Sequence, residues 1–477
     1  MSTPTLLTHG TRPASTPPAR ATLLVLLAGI FMATLDFFIV NVAIPDTQAD
    51  LHASSATMQW VVAGYGLAVA AGLITGGRLG DLYGRRRLYG LGMAVFTLAS
   101  LACALAGDAA ELVVARIAQG AGMALLMPQV LGIISVVFTG TRRVRAFAAY
   151  GLAMGLAAVF GQLIGGLLIQ ADLFGLGWRT IFWINVPVGA LTLAVLARLV
   201  PESRGDGGTR LDRLGVGLIA TALAAVVLPL IQGREQGWPL WTWLSLATAA
   251  VLIAAFVTAA RRSAARGGEP LVNPALFAER SFAVGSTIAL SYQMTMGSFF
   301  LFLALYLQQG RGLSALGSGL LFLALGGAYL LTSMLSQRAA ARLGRQVVAA
   351  GAVLQAGGYL LLALTVHELG ADGSVLDLLP GMIVAGAGMG LALVPMPGIV
   401  LAGVTPRHAA AAGGVLATAQ QVGGAIGIAV VGIVFYDRLA AAGGFASAFV
   451  ASLVPMALLC LLTAALVQLL PAPRIRK

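Results

Sequence analysis

Asp36 is the residue of this sequence with the clearest chemical potential. It lies deep inside a long apolar run, and the remaining acids fall in loops or near the ends of such runs. Placing a carboxylate in hydrocarbon costs about 2.5–3.5 kcal/mol on insertion scales. The neutral acid is cheaper there than the anion, so such a group can bind and release a proton as its surroundings change. The plainer alternative is a carboxylate held permanently as polar glue between helices. The functional reading is favoured, because ionisable groups inside membranes mostly serve pathways and relays. Arg116 is the natural partner. If the first apolar helix ends near Ile44, Asp36 lies about 12 Å below that end at 1.5 Å per residue. If the fourth begins near Ala109, Arg116 lies about 10 Å from the same side. The two depths match. Pairing with Asp36 and snorkelling of the long side chain to the headgroups both remain open on this reasoning.

A second concentration of chemistry is the stretch Gly77-Arg78-Leu79-Gly80-Asp81-Leu82-Tyr83-Gly84-Arg85-Arg86-Arg87. It is glycine and charge between two long apolar segments. So short a link makes the flanking helices antiparallel neighbours. Its arginines mark the cytoplasmic face, where Lys/Arg-rich loops collect. Asp81 stands among Arg78, Arg85 and Arg86, where one negative charge can hold a helix junction together.

These groups need a scaffold, and composition supplies it. Hydrophobic residues make up 59% of the 477 and charged residues 10%, against roughly 25% charged in soluble domains. That identifies a polytopic membrane protein. The net charge of +12 is spread over short loops, which reads as topology and not as a nucleic-acid-binding face. A span needs about 20 apolar residues, and fourteen runs qualify. They centre near residues 33, 68, 97, 124, 157, 189, 222, 251, 294, 327, 355, 390, 421 and 458. All must be helices, since backbone polar groups in lipid have to be satisfied internally. With the amino terminus inside, Arg142, Arg143, Arg145, Arg204, Arg261, Arg262, Arg338, Arg342 and Lys477 fall on the cytoplasmic side. Outer loops keep only Arg234, Arg311 and Arg438. Both termini are then cytoplasmic. The runs near 222 and 251 are the weakest spans; were either re-entrant, the later arginines would land outside.

Two patterns repeat. Gly155-x6-Gln162-x2-Gly165-Gly166 in the fifth span returns as Gly413-x6-Gln420-x2-Gly423-Gly424 in the thirteenth. Arg78-x5-Gly84-Arg85 returns as Arg338-x5-Gly344-Arg345, with Ala341 in place of Asp81. The expected organisation is a cytoplasmic tail (1–20), a six-helix half (21–200), a linker with two extra spans (201–280), a second six-helix half (281–470) and a short tail (471–477). Repeated halves with a site at their interface are a transporter architecture. Gly155, Gly161, Gly165 and Gly166, with Gly423 and Gly424, allow close helix packing along a seam where halves can slide. Gln162 and Gln420 are buried amides that either join helices or meet substrate. Asn41, Tyr65, Tyr292 and Met294 are further candidates for a substrate cavity. Met294 occupies the repeat position equivalent to Asp36.

Enzyme signatures are missing. His52, His367 and His408 lie in loops and His9 in the tail, so no metal cluster forms. There is no phosphate-binding loop, and Cys103 and Cys460 sit in apolar runs. No cofactor is expected, and energy for transport must come from an ion gradient.

The Gly77–Arg87 loop resembles the signature of the major facilitator superfamily, G-x-L-x-D-x-x-G-R-R/K. Leu35-Asp36-Phe37-Phe38-Ile39-Val40-Asn41-Val42-Ala43-Ile44-Pro45 is similar to the first-helix signature of its fourteen-helix drug:proton antiporters (EmrB/QacA type), with Phe38 for the usual threonine. Gln59-Trp60, Trp178-Arg179-Thr180-Ile181-Phe182-Trp183-Ile184-Asn185-Val186-Pro187-Val188-Gly189 and Arg116-Ile117-Ala118-Gln119-Gly120 fit the same branch. The fifth span resembles the antiporter motif G-P-x-x-G-G, with Gln162 where proline is usual. The resemblance implies an all-α major facilitator fold of two six-helix halves plus two inserted helices. It implies that the Asp81 loop stabilises one conformation, that Asp36 and Arg116 couple proton movement, and that the seam carries substrate. The expected function is proton-coupled efflux of lipophilic small molecules by a monomer in a bacterial plasma membrane. The alternative is a facilitator or importer of a small metabolite. With one intramembrane acid, the expected substrates are neutral or monocationic and include antibiotics or similar secondary metabolites.

Overall fold

The computed structural model describes residues 19–205, 212–268, 270–369, 373–401 and 409–470. The two terminal tails of the expected organisation therefore lie almost wholly outside the described residues. Among the described residues, fourteen helices long and apolar enough to cross a membrane follow one another: α1 (Ala19–Asp50), α2 (Ser55–Tyr83), α3 (Arg85–Leu105), α4 (Ala109–Val137), α5 (Gly140–Ala171), α6 (Gly177–Leu199), α7 (Arg213–Glu235), α8 (Leu240–Ala265), α9 (Arg280–Gly310), α10 (Ala315–Leu343), α11 (Gln346–Glu368), α12 (Val375–Leu401), α13 (Ala412–Ala441) and α14 (Gly444–Val467). No strand occurs among the described residues. The chain is a multi-pass membrane protein. The spans near 222 and 251 are full helices, α7 and α8. The face of α8 bearing Leu240, Trp243, Leu244 and Val251 is open to the surroundings, as suits a helix at the lipid boundary.

The internal repeat is a repeat of packing. In the first half α2 lies against α4, α3 against α4, α1 against α5, and α6 against both α1 and α3. Eight helices later the same pairings recur as α10–α12, α11–α12, α9–α13, α14–α9 and α14–α11. Glycines permit the tightest of them. A Cβ on Gly165 would meet the α1 backbone at Ile39, and one on Gly423 would meet the α9 backbone at Leu290. Chain turns also match. Gly84 between α2 and α3 and Gly344 between α10 and α11 both have positive φ, 110° and 56°, which glycine adopts at least cost.

Between the halves, α5 packs on α10 and α2 on α13. Gly166 faces the α10 backbone at Ala315, and Gly155 lies 3.5 Å, by its absent Cβ, from the ring of Tyr329. Gly161 and Gly165 instead face α1. The expected sliding seam therefore splits: only part of the α5 glycine stripe touches the other half. The inserted helix α7 lies across α2 and α13. Its Glu235 accepts the Ala56 backbone N–H at 2.9 Å, capping the start of α2, while Arg234 faces Asp437 of α13 at 3.8 Å.

One boundary differs from the sequence expectation. The first helix does not stop near Ile44 but runs through Pro45 to Asp50. The added turn is anchored from α6: Asp50 accepts hydrogen bonds from Trp178 Nε1 at 3.0 Å and Arg179 Nη1 at 2.6 Å.

Candidate functional site: a buried ion pair and the cavities beside it

Asp36 and Arg116 meet. Both are fully buried, and Arg116 Nη1 donates to Asp36 Oδ2 at 2.5 Å. The other carboxylate oxygen, Oδ1, accepts from Gln119 Nε2 and from Asn185 Nδ2, each at 2.8 Å. Ser100 closes the group, accepting from Gln119 at 2.7 Å and from Asn185 at 3.3 Å. Four helices of the first half, α1, α3, α4 and α6, thus each contribute a polar side chain. Arg116 is fixed from several sides. Its Nε donates to the Val61 carbonyl of α2 at 3.0 Å, and its Nη1 also reaches Gln119 Oε1 at 2.6 Å. The Tyr65 ring lies 4.4 Å from the guanidinium carbon, a cation–π contact. Snorkelling is excluded in this conformation.

The local sequence explains the convergence. Arg116 and Gln119 are three residues apart on α4 and so share a face. Asn185 lies on α6 next to Ile184, whose dihedrals are helical, so α6 carries it inward as one continuous span. Two donor and acceptor positions stay open: Arg116 Nη2 and Asn185 Oδ1 have no hydrogen-bond partner among the described residues. Since arginine does not release its proton, Asp36 is the member of this cluster that can change charge.

The remaining candidates are spread out. Tyr65 belongs to the ion-pair cluster, its hydroxyl donating to the Ala33 carbonyl at 3.2 Å. Asn41 donates to the Phe38 carbonyl at 3.1 Å, leaving Oδ1 unpartnered. Gln162 is buried, and neither its Nε2 nor its Oε1 has a partner among the described residues; its own carbonyl lies against Gly319 of α10. Tyr292 donates to Gln355 Oε1 at 2.5 Å, and Gln355 Nε2 donates to Tyr359 at 2.6 Å. Met294 is half-buried where its backbone meets Gly427, and Gln420 is half-buried on α13.

Two small cavities lie between the halves, each about 10 Å³, room for about one water. One is apolar and lined by Val159, Met296, Phe300, Phe322 and Tyr329. The other is lined by Phe37, Gly66, Gln293, Gly297 and Gln421. Phe38, which stands where threonine is usual, packs edge-on against Phe300 across the halves at 5.1 Å.

The charged loop is wired differently from the expectation that three arginines surround Asp81. Arg85 pairs with it, at 2.8 Å. Arg86 and Arg87 turn to Glu202, at 3.7 and 3.8 Å, and Arg78 donates to the Pro270 carbonyl at 2.6 Å. The backbone joins in: Arg85 N–H donates to the Ser203 carbonyl, and Gly205 N–H to the Asp81 carbonyl. The Gly77–Arg87 stretch is not the loop expected from sequence: α2 runs to Tyr83 and α3 starts at Arg85, with Gly84 alone between them, and this helix junction clips the segment that leaves α6. Glu202, which sequence reasoning missed, is its main acidic partner. A Cβ on Gly84 would lie 2.8 Å from that carboxylate.

Among the described residues, fourteen helices of spanning length in two repeated halves, with a charged junction after the second helix and a buried ion pair in the first half, define a secondary-transporter fold. The chain belongs to the Major Facilitator Superfamily, whose family model matches residues 26–428. It is 38% identical to the probable actinorhodin transporter of Streptomyces coelicolor, over 90% of this chain and 75% of that protein. It is 35% identical to the puromycin resistance protein pur8 of Streptomyces alboniger (88% and 82%) and 34% identical to the multidrug resistance protein Stp of Mycobacterium tuberculosis CDC 1551 (88% and 77%). Among solved structures, the POT family transporter PepTSo superimposes with a TM-score of 0.70 at 12% identity, covering 95% of this chain and 97% of that one. The xylose transporter XylE from E. coli gives 0.64 at 15% identity, covering 94% and 98%. These likenesses show the shared fold. The motifs and the helix count fit the fourteen-helix drug-transporter branch.

Proposed function

We propose that this protein exports neutral or monocationic lipophilic small molecules in exchange for protons, by alternating access of a site between its halves. The observation that carries the reading is the fully buried Asp36–Arg116 pair in a chain similar to proteins named for antibiotic transport and resistance. A proton arriving at Asp36 removes its negative charge and weakens its hold on Arg116. Arg116 stays satisfied meanwhile by Gln119 Oε1 and the Val61 carbonyl. Protonation can therefore loosen α1 from α4 without stranding a bare cation, and that change of fit is the coupling step. Residues 21–200 and 281–470 act as the two moving bodies, with 201–280 inserted between them. The arginine-rich end faces the cytoplasm of a bacterial cell, and the protein works as a monomer without nucleic acid or cofactor.

The test uses everted membrane vesicles. Imposing an inward-acid gradient is expected to drive uptake of a lipophilic monocation such as ethidium, and collapsing it with a protonophore should stop uptake. Rigid dications are expected to be poor substrates, because no second buried acid lies among the described helices to balance them. Uptake indifferent to the gradient would turn the reading into one of facilitated diffusion. Strong gradient-driven uptake of a dication would overturn the substrate class.

A further inference from the structure

The cavity beside Phe37 has a chemistry that the ion pair does not share. Its two amides, Gln293 and Gln421, come from α9 and α13 of the second half, and its ring, Phe37, comes from α1 of the first. Gln293 Oε1 is buried and has no donor among the described residues. A buried acceptor left unpaired costs about 1–3 kcal/mol, and a ligand that brings a donor recovers it. Three glycines, Gly66, Gly297 and Gly424, also line the cavity. Gly297 faces the Gly424 backbone, 3.5 Å from where its Cβ would sit, and Gly66 faces the Gln421 carbonyl at 4.0 Å by the same measure. Ile428 lies equally close to the Gly297 position, and with Val62, Ala63 and Ala425 it makes the rest of the lining small and apolar, so a larger side chain at either glycine would take up the space. None of the residues lining this cavity is charged, and the nearby guanidinium of Arg116 is already bound to Asp36.

We infer that Gln293, supported by Gln421, is the specificity-determining contact of the transport site, and that it selects a flat ring system carrying a hydroxyl or N–H donor at its edge. This rests on the export reading and names the ligand chemistry of that site. The ring of the ligand lies between Phe37 and the three glycines, and its edge donor points at Gln293. The present 10 Å³ holds no such body, so the slot must widen as the halves part. The ligand then occupies space that only the open form offers.

A matched pair of probes tests the inference. 9-Phenanthrol and 9-methoxyphenanthrene share a flat, neutral ring system and differ in the donor. Binding to the purified full-length protein in nanodiscs, followed by tryptophan fluorescence quenching, is expected to be about tenfold tighter for the phenol, the worth of one recovered hydrogen bond. Gln293→Leu should erase that preference while leaving the affinity for the methyl ether unchanged, which a merely misfolded variant would not do. Gly297→Val should weaken both probes. Equal binding of the two, binding of neither, or a preference that survives Gln293→Leu overturns the inference. Binding needs no gradient, so its outcome separates from the vesicle experiment: preference without proton-driven uptake sinks the export reading and keeps the slot, and the converse sinks the slot alone.

Discussion

The two halves bury polar clusters at corresponding places, and only one of them carries charge. In the first half, α1, α3, α4 and α6 bring together Asp36, Ser100, Arg116, Gln119 and Asn185. In the second, α9, α11 and α14 bring together Tyr292, Gln355 and Tyr359, with Ser291 3.2 Å from Thr463. The helix that corresponds to α4 is α12, and it buries Met382, Ala385 and Met389. The packing scheme is common to both, but the second cluster is made of hydroxyls and an amide with one protonation state at any working pH. The first has two. Under the proposed mechanism, one half of the repeated fold responds to a proton and the other gives it a fixed reference. The loops divide in the same way: Asp81 and Glu202 bind arginines after α2, whereas the loop after α10 has Ala341 where Asp81 stands.

The largest expected effect separates the clusters outright. Asp36→Asn should leave the protein folded and inserted, since the amide keeps the shape and most hydrogen bonds. Gradient-driven export should nevertheless fall to background in everted vesicles; retained coupling would place the proton site elsewhere. Next comes Arg116→Ala. It strands a buried carboxylate, and breaking such a pair costs about 3–5 kcal/mol. The melting temperature should drop sharply, the pH dependence of residual export should shift, and Asp36→Asn in the same chain should restore much of the stability. A double variant no more stable than Arg116→Ala would mean that the cation acts through Val61 and Tyr65 and not through Asp36.

A smaller effect is expected at the loops. Asp81→Ala should lower the transport rate severalfold more than it alters substrate affinity, because the clip to the segment after α6 lies far from the cavities. Gly84→Ala should act similarly, with φ at +110° and Glu202 in the way of its Cβ. Ala341→Asp in the second loop is expected to be near neutral. Weakened binding with intact turnover in Asp81→Ala would contradict this division. The smallest transport effect is expected in the neutral cluster. Gln355→Leu leaves the Tyr292 and Tyr359 hydroxyls without that partner, a loss of about 1–3 kcal/mol each visible in thermal melting, while the pH profile of export should not move. A moved profile would show that the second half is no passive reference.

Much of this was legible from sequence. Long apolar runs locate helices because lipid leaves few alternatives, and the fourteen expected centres all fall inside observed helices. The matching depths of Asp36 and Arg116 anticipated their contact, although the helix end used to measure one of them was wrong by a turn or more. The partners Ser100, Gln119 and Asn185 were visible only as polar residues in apolar runs. They sit on three different helices, and nothing in spacing along a chain says which faces meet. Gln119 and Asn185 even lay inside quoted motifs without being assigned a part. Glu202 is a half-buried acid between helices, with no periodic pattern to flag it. The amides illustrate the same limit: Gln162 and Gln420 were singled out by the repeat, whereas Gln293 and Gln421 line the cavity because of how α9 and α13 rotate against each other.

The neighbouring pair Arg234–Glu235 at the tip of α7 has a mechanical consequence. Glu235 holds the first turn of α2, and Arg234 reaches Asp437 and lies 5.2 Å from the Tyr436 ring on α13. One rigid helix end thus straddles the seam like a rivet through two plates. Whenever α2 and α13 part at that end, the rivet must let go on one side, and the contacts it gives up are partly solvent-exposed and electrostatic. Salt screens such contacts. The stiffness of this gate is therefore set in part by the ionic strength of the water on that face, quite apart from what lies in the cavity.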